Sequence, residues 1–470
     1  MKKFLTIFLA FILILAPAQG VFASADSSAE TETTAEGSDT ADTTEGESDE
    51  ESENTSSSDS SGWPAGPDTI SESVYMIEAN TGAVLYEKNI DEKRYPASTT
   101  KLLTALIALE NCSLSETVTF SETAVDLEEG ASSIDAVAGE EMSMKDVIYG
   151  LLLPSGNDCA NAIAEHISGS IDEFADLMNE YLEELGCENS HFTNPSGLYD
   201  DDHYTTAYDM ALIAQAAFNN STLVSIISSS SYTIEETNMS EARVLSNSNS
   251  MLSSTSQYYN EYVVGGKTGY LYAAGRCLVT LAKNDGMTII TVTLMSSEYT
   301  GVFTDTQNLL DYAFGSFDVY VISESESRFL YSSEDAKVEL DNTSQVILPA
   351  SLSISDLDSE IVYTYDMDLE EFNEASEAAG ITSGDGRHLY AIINYSYGDY
   401  SLGYVNVLIN DNLEVYSPEF PDITYINVWN VILMAVVLAL IFLILFAIAR
   451  HRPKKKRRRK NKTARPLAAR

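Results

Sequence analysis

The apolar residues between Ser73 and Met295 change their spacing twice, and that order of periods leaves the chain few ways to fold. Ser73 to Ile77 and Ala83 to Tyr86 alternate around Asn80-Thr81-Gly82, which predicts a hairpin. Helical spacing follows: Leu102 to Leu109, Met144 to Leu153, Asp158 to His166, Ile171 to Leu185 behind a Ser170/Glu173 capping box, and an alanine-rich stretch opened by Thr206 and running to Phe218. Alternation then returns in Tyr262 to Tyr270, Arg276 to Lys283 and Met287 to Met295, the last two joined by Asn284-Asp285-Gly286. A helix from Thr306 to Phe314 closes the unit. Strands at both ends with helices between predict a mixed α/β domain with one sheet and helices packed on it.

Chemistry concentrates in three places. Tyr95 to Glu110 reads Y-P-A-S-T-T-K-L-L-T-A-L-I-A-L-E, with Ser98 and Lys101 three apart at a helix start. Residues i and i+3 share a helix face, so the Lys101 amine reaches the Ser98 hydroxyl. A serine becomes a useful nucleophile when a base lies within hydrogen-bond reach, and a lysine kept neutral by burial is such a base. Taken alone the pair also fits a helix with a capping serine and a surface lysine, because S-x-x-K recurs by chance in a serine-rich chain. Ser155-Gly156-Asn157 falls on a turn between two helices, and Lys267-Thr268-Gly269 ends a strand flanked by Gly265 and Gly266. The ordered trio S-x-x-K, S-G-N and K-T-G is the motif set of penicillin-binding proteins and class A β-lactamases.

On these motifs, and on E-A-N-T-G-A-V-L-Y-E-K-N at Glu78, L-L-P-S-G-N-D at Leu152, H-F-T-N-P-S-G-L at His191 and H-Y-T-T-A-Y-D-M-A at His203, the chain closely resembles the D-alanyl-D-alanine carboxypeptidases of the low-molecular-weight penicillin-binding proteins (serine peptidase family S11) over roughly Ser73 to Phe317. The resemblance implies a β-lactamase/transpeptidase-like fold and a serine carboxypeptidase that removes the terminal D-alanine from peptidoglycan stem peptides, with β-lactam antibiotics as covalent inhibitors and no cofactor. It implies Ser98 as acylated nucleophile, Lys101 as its base, Ser155 and Asn157 as proton relay and holder of the substrate amide, Lys267, Thr268 and Gly269 at the substrate carboxylate, and backbone N–H groups of Ser98 and Tyr270 as oxyanion hole. One departure stands out. Family members place an arginine near that carboxylate, whereas Ser297 to Asp305 (S-E-Y-T-G-V-F-T-D) holds no cation; arginine at Val302 or Phe303 is expected to supply one.

Two other functions compete. A class A β-lactamase needs a glutamate followed two residues later by Leu-Asn, and no glutamate between Asp158 and Gly266 has that context. A catalytically idle wall-binding or scaffold protein is opposed by the intact Ser98, Lys101, Ser155, Asn157 and Lys267.

The two ends address the chain. Lys2 and Lys3, the apolar run from Phe4 to Ala16 and Ala23-Ser24-Ala25 have the pattern of a signal peptide over residues 1–25. Residues 26–68 form an arm; from Asp26 to Ser61 it carries thirteen acidic residues and no cation, a composition that resists folding. The catalytic domain is expected over 69–318, a small β-rich domain over 319–422, and a membrane-spanning helix over 428–449, where Val431 to Ala449 is uncharged. The basic tail at 450–470 holds twelve of the 26 Lys and Arg, which places it in the cytoplasm and the catalytic domain outside a single-pass cell-membrane anchor.

Net charge is −46, and setting aside the basic tail leaves −58, which excludes nucleic acid as a partner of the exported part. Cys112, Cys159, Cys187 and Cys277 number enough for two disulfides, but Cys159 and Cys277 lie in apolar motif surroundings that suit free thiols. The five histidines have no ligand spacing and no acidic cluster forms a cage, so no metal site is expected.

Overall fold

The computed structural model describes residues 62–322, 338–341, 344–364 and 387–410, with scattered positions between 365 and 386. Its centre is a five-stranded antiparallel sheet in the order Val84–Lys88, Ser71–Glu78, Met287–Ser296, Gly275–Asn284, Val263–Leu271. The early hairpin therefore pairs with a strand more than two hundred residues later, as Tyr75 opposite Val292 and Ile77 opposite Ile290 illustrate. The predicted tight turn is present: Asp285 and Gly286 both have positive φ, 44° and 88°, between the paired Asn284 and Met287, the backbone that matches strand twist in a two-residue loop.

Alternation along the strands builds two cores. Tyr75, Ile77, Val279, Leu281, Ile290 and Val292 face the helical side, where they join Leu102, Leu106, Ile148, Leu151, Ile163 and Phe174. Val74, Met76, Leu278, Ala282 and Ile289 face the other way, against Leu309, Leu310 and Ala313 of the helix Gly301–Ser316. Burial on both faces explains why these strands are apolar nearly throughout. Helix Lys101–Asn111 is buried at every position from Lys101 to Ala108, so its apolar residues occupy all sides instead of one stripe. Each fully buried leucine there contributes roughly 1.5–3 kcal/mol.

Three sequence boundaries change. Trp63, placed above in the acidic arm, is 9% exposed and stacks on Tyr400 at 3.9 Å while meeting Phe317 edge-on at 5.2 Å, so the packed chain begins before residue 69. An indole in a run of small residues, Ser61 to Pro67, has apolar area to bury that its neighbours lack. The expected division at 318/319 falls inside the strand Phe317–Val321, which pairs with Gln345–Pro349. Val346, Leu348, Ile393, Leu402 and Val405 share one hydrophobic cluster with Val74 and Leu309. Four further strands, Val338–Leu340, Asp358–Tyr363, Arg387–Tyr397 and Tyr400–Asn410, form a four-stranded sheet, and two short two-stranded ribbons, Thr117–Thr119 with Glu141–Ser143 and Ser231–Ile234 with Arg243–Ser246, lie apart from both. The third change is at Gly301, where the last helix of the catalytic part starts, ahead of the expected Thr306.

Buried Asp305 closes the catalytic part by accepting hydrogen bonds from Ile70 N (2.9 Å), Ser71 N (2.7 Å) and Ser71 Oγ (2.6 Å). Among the described residues no single helix is long and apolar enough to cross a membrane; the signal peptide, most of the arm and the expected span and tail lie outside the described residues.

Candidate active site

Ser98 lies in a 3-10 turn, Ala97–Thr100, that runs directly into the helix Lys101–Asn111. Ala97 just before it has φ of 50°, a left-handed conformation that alanine adopts only when its surroundings impose it. Gly197, itself at φ 80°, packs against this residue so closely that an added Cβ would stand 1.9 Å from the Ala97 carbonyl oxygen. The loop carrying Gly197 is therefore fitted to the backbone that presents Ser98.

Lys101 is fully buried. Its Nζ lies 2.9 Å from Ser98 Oγ, 2.7 Å from Asn157 Oδ1 and 2.7 Å from the Ser196 carbonyl; an ammonium donates to all three, whereas a neutral amine donates to the two carbonyl oxygens and accepts from the Ser98 hydroxyl. Burial, and after it the charge of Lys267, push the Lys101 amine well below the ordinary lysine range. A neutral amine beside a serine hydroxyl is a competent general base.

Asn157 opens the helix Asn157–Ser168, and its N–H donates to the Ser132 carbonyl at 2.8 Å. The next residue, buried Asp158, accepts from Ser133 Oγ (2.6 Å), Ile134 N (3.0 Å) and Ala136 N (3.2 Å), which ties residues 132–136 to the same helix start. Ser155 precedes it at φ 71°. Lys267 Nζ donates to Ser155 Oγ at 3.0 Å and to the Thr268 carbonyl at 2.8 Å, and burial lowers its pKa to about 7.

Thr268 Oγ1 lies 2.9 Å from Ser248 Oγ. Lys267, Thr268, Gly269 and Tyr270 belong to Val263–Leu271, the edge strand of the sheet. A Cβ at Gly269 would come within 3.1 Å of Ser98 N, so glycine lets this strand close on the Ser98 turn and places the Ser98 and Tyr270 amides on facing elements. The sequence-derived residues thus meet in one place: Ser98, Lys101 and Asn157 as one bonded group, and Ser155 with Lys267 as a second.

Several contributors were not singled out from sequence. The Ser196 carbonyl is held by a nest around Asn194, whose Oδ1 accepts from Ser196 N (3.2 Å), Gly197 N (2.8 Å) and Leu198 N (3.1 Å). His203 stacks on Phe192 at 4.7 Å. Its Nδ1 accepts from Thr193 N at 3.1 Å, which leaves Nε2 to donate to Thr100 Oγ1 at 2.9 Å. Burial lowers its pKa to about 3, so it is a neutral brace for the Ser98 turn. The Asn-Pro-Ser-Gly string and His203 were visible only as parts of the family resemblance.

The structure corrects the search for the missing cation. Val302 and Phe303 are buried in the helix Gly301–Ser316, so arginine there would displace core packing. Arg276, directly opposite Tyr270 across the strand pair, instead places its guanidinium 4.0 Å from the Tyr270 ring and 4.2 Å from the Tyr299 ring. Both rings are exposed, and a guanidinium between two aromatic faces is held without being neutralised. All four cysteines are free, with Cys159 packed where a Cβ on Gly150 would strike its sulfur.

The D-alanyl-D-alanine carboxypeptidase family profile matches residues 61–298. The D-alanyl-D-alanine carboxypeptidase DacF of Bacillus subtilis is 35% identical over 255 residues, which are 53% of this chain and 64% of that relative, so the chain spans less than two thirds of its length. The D-alanyl-D-alanine carboxypeptidase of Streptomyces sp. strain K15 is 32% identical over 254 residues, covering 51% of this chain and 86% of the relative. The crystal structure of the Streptomyces K15 DD-transpeptidase superposes with a TM-score of 0.50 at 29% identity, over 54% of this chain and all of that one.

Proposed function

Because the chain belongs to the D-alanyl-D-alanine carboxypeptidase family of serine peptidases, we propose that it releases the terminal D-alanine of peptidoglycan stem peptides through an acyl-enzyme on Ser98. The observation that carries this reading is the fully buried Lys101 amine bonded at once to Ser98 Oγ, Asn157 Oδ1 and the Ser196 carbonyl.

Neutral Lys101 takes the Ser98 proton as Oγ attacks the penultimate carbonyl carbon. Amides of Ser98 and Tyr270 receive the developing oxyanion, a contribution of about 3–4 kcal/mol per donor in comparable sites. The C–N bond breaks, and a proton reaches the departing D-alanine amine through Ser155, whose hydroxyl is held by Lys267. Water then attacks the ester, gives its proton to Lys101, and Ser98 leaves with a proton restored. An extended stem peptide suits the edge strand Val263–Leu271, with its terminal carboxylate toward Thr268 and Arg276. β-Lactams acylate the same serine.

The sequence supports a placement for this chemistry: a signal peptide at 1–25, a span at 428–449 and a basic tail at 450–470 put the catalytic part outside the cell membrane on a single anchor.

Mass spectrometry of the purified protein with a penicillin and with a D-Ala-D-Ala pentapeptide tests the reading. One penicillin adduct on the Ser98 peptide and loss of one alanine from the pentapeptide are expected; a protein that takes neither is not a carboxypeptidase.

A further inference from the structure

The two helices that bring Lys101 and Asn157 together at their first residues also converge at their far ends. Helix Lys101–Asn111 ends on Cys112 as its C-cap, and helix Asn157–Ser168 carries His166 in its last turn. Glu116, on the segment leaving Cys112, completes the group. The Cys112 thiol, a Glu116 carboxylate oxygen and a His166 ring nitrogen all lie within 4.8 Å of one another.

Several features suit this group to a cation. Glu116 Oε2 and His166 Nε2 are 3.3 Å apart, about the nitrogen–oxygen edge of a tetrahedron whose bonds are about 2.0–2.1 Å long. Ser113 N donates to Glu116 Oε1 at 2.6 Å, which fixes the carboxylate and turns its other oxygen to His166. Two helix C-termini end at the group, and their partial negative charge favours a positive ion. A sulfur, an imidazole and a single carboxylate together select a borderline-soft ion of the zinc type over calcium or magnesium.

We propose that Cys112, Glu116 and His166 form a binding site for one zinc-class divalent cation, with water as fourth ligand, and that the ion clips together the C-terminal ends of the two helices whose N-terminal ends hold Lys101 against Asn157. The site is separate from the Ser98 chemistry and from the carboxypeptidase reading. Ligands from the ends of two helices and the segment after Cys112 were invisible as a spacing, because His166 is fifty residues from Glu116.

The test uses the full chain, freed of metal with a chelator. Cys112 is partly exposed while Cys159, Cys187 and Cys277 are buried, so maleimide labelling of the native protein reads Cys112 alone. Zinc chloride is expected to slow that labelling at least tenfold, and cobalt chloride to give a thiolate-to-cobalt charge-transfer band that Cys112→Ser abolishes. His166→Gln, and separately the exposed change Glu116→Gln, should each weaken zinc protection by tenfold or more. Cys112→Ser should still be acylated by penicillin. Unslowed labelling, or protection unchanged in both the His166 and Glu116 variants, overturns the site.

Discussion

Lys101 and Lys267 are two fully buried amines that converge on one cleft, each bonded to a different serine: Lys101 to Ser98 Oγ at 2.9 Å and Lys267 to Ser155 Oγ at 3.0 Å. Two like charges so enclosed disfavour one another, which favours the neutral Lys101 that the proposed chemistry needs.

Removing the second amine should therefore shift the first. Burial and Lys267 lower the Lys101 pKa, while Cys159 and Asp158 raise it; Lys267→Met removes one of the two lowering causes, so the pKa rises. The acid limb of the pH profile for penicillin acylation is expected to move to higher pH in the variant, beyond any drop in rate. An unmoved or acid-shifted limb would separate the two lysines electrostatically.

The same lysine links stability to pH. Lys267 titrates at about 7 in the folded chain and at about 10.4 unfolded. Between those values the unfolded chain binds more protons, so this group's penalty is full below about 7 and fades as pH rises toward 10.4. Urea unfolding of wild type and Lys267→Met should show the wild type gaining on the variant between pH 7 and pH 9.5, by on the order of a few kcal/mol.

Ser98→Ala should abolish penicillin adduct formation and cut D-alanine release by on the order of 10⁴-fold or more. Thermal unfolding should change little, because the Lys101 bonds to Asn157 and Ser196 remain. A persisting adduct on the variant would assign the nucleophile elsewhere.

Asn194 touches neither serine, yet its Oδ1 organises the loop that offers the Ser196 carbonyl to Lys101. Asn194→Ala leaves partly buried amides unpaired and is expected to cost about 1–3 kcal/mol. Acylation should slow by about tenfold or more at saturating penicillin, measured by stopped-flow, whereas a purely structural role would leave the rate of the folded fraction unchanged.

Arg276→Leu should raise KM for a D-Ala-D-Ala peptide by about tenfold or more, since a charge-assisted contact contributes roughly 1.5–3 kcal/mol. A peptide whose terminal carboxylate is amidated should be indifferent to the change. Equal effects on both peptides would make Arg276 a support for Tyr270 and Tyr299 alone.

What could be read from the sequence was what local chemistry writes into it. Asp285-Gly286 dictates its own turn, the strand alternation sorts Tyr75 from Val74 onto opposite faces, and Ser98, Lys101, Ser155 and Lys267 carry distinctive side chains at distinctive spacings. Contributions made by backbone left no such mark: the Ser196 carbonyl needs only a correctly bent loop. Trp63 was lost in a segment judged by average composition, although one large ring was enough to anchor it on Phe317 and Tyr400. Val302 and Phe303 were misplaced because the helix begins at Gly301, which the short run from Ser297 could not announce.

The strand bearing Lys267 and Thr268 has a partner on one side only. Soluble proteins usually blunt such an edge with lysines, prolines or a bulge, since an open edge is a template for chains of their own kind. Here the glycines at 265, 266 and 269 are buried against Ile227, Val279 and the Ser98 turn, and two exposed tyrosines, Tyr270 and Tyr272, stand beside the strand. Besides the register shift between Val263 and Gly265, the protection against self-pairing is long-range: with a net charge of −46 on the chain, neighbouring copies repel before their edges meet. High salt, by screening that repulsion, removes the safeguard while leaving the groove itself untouched.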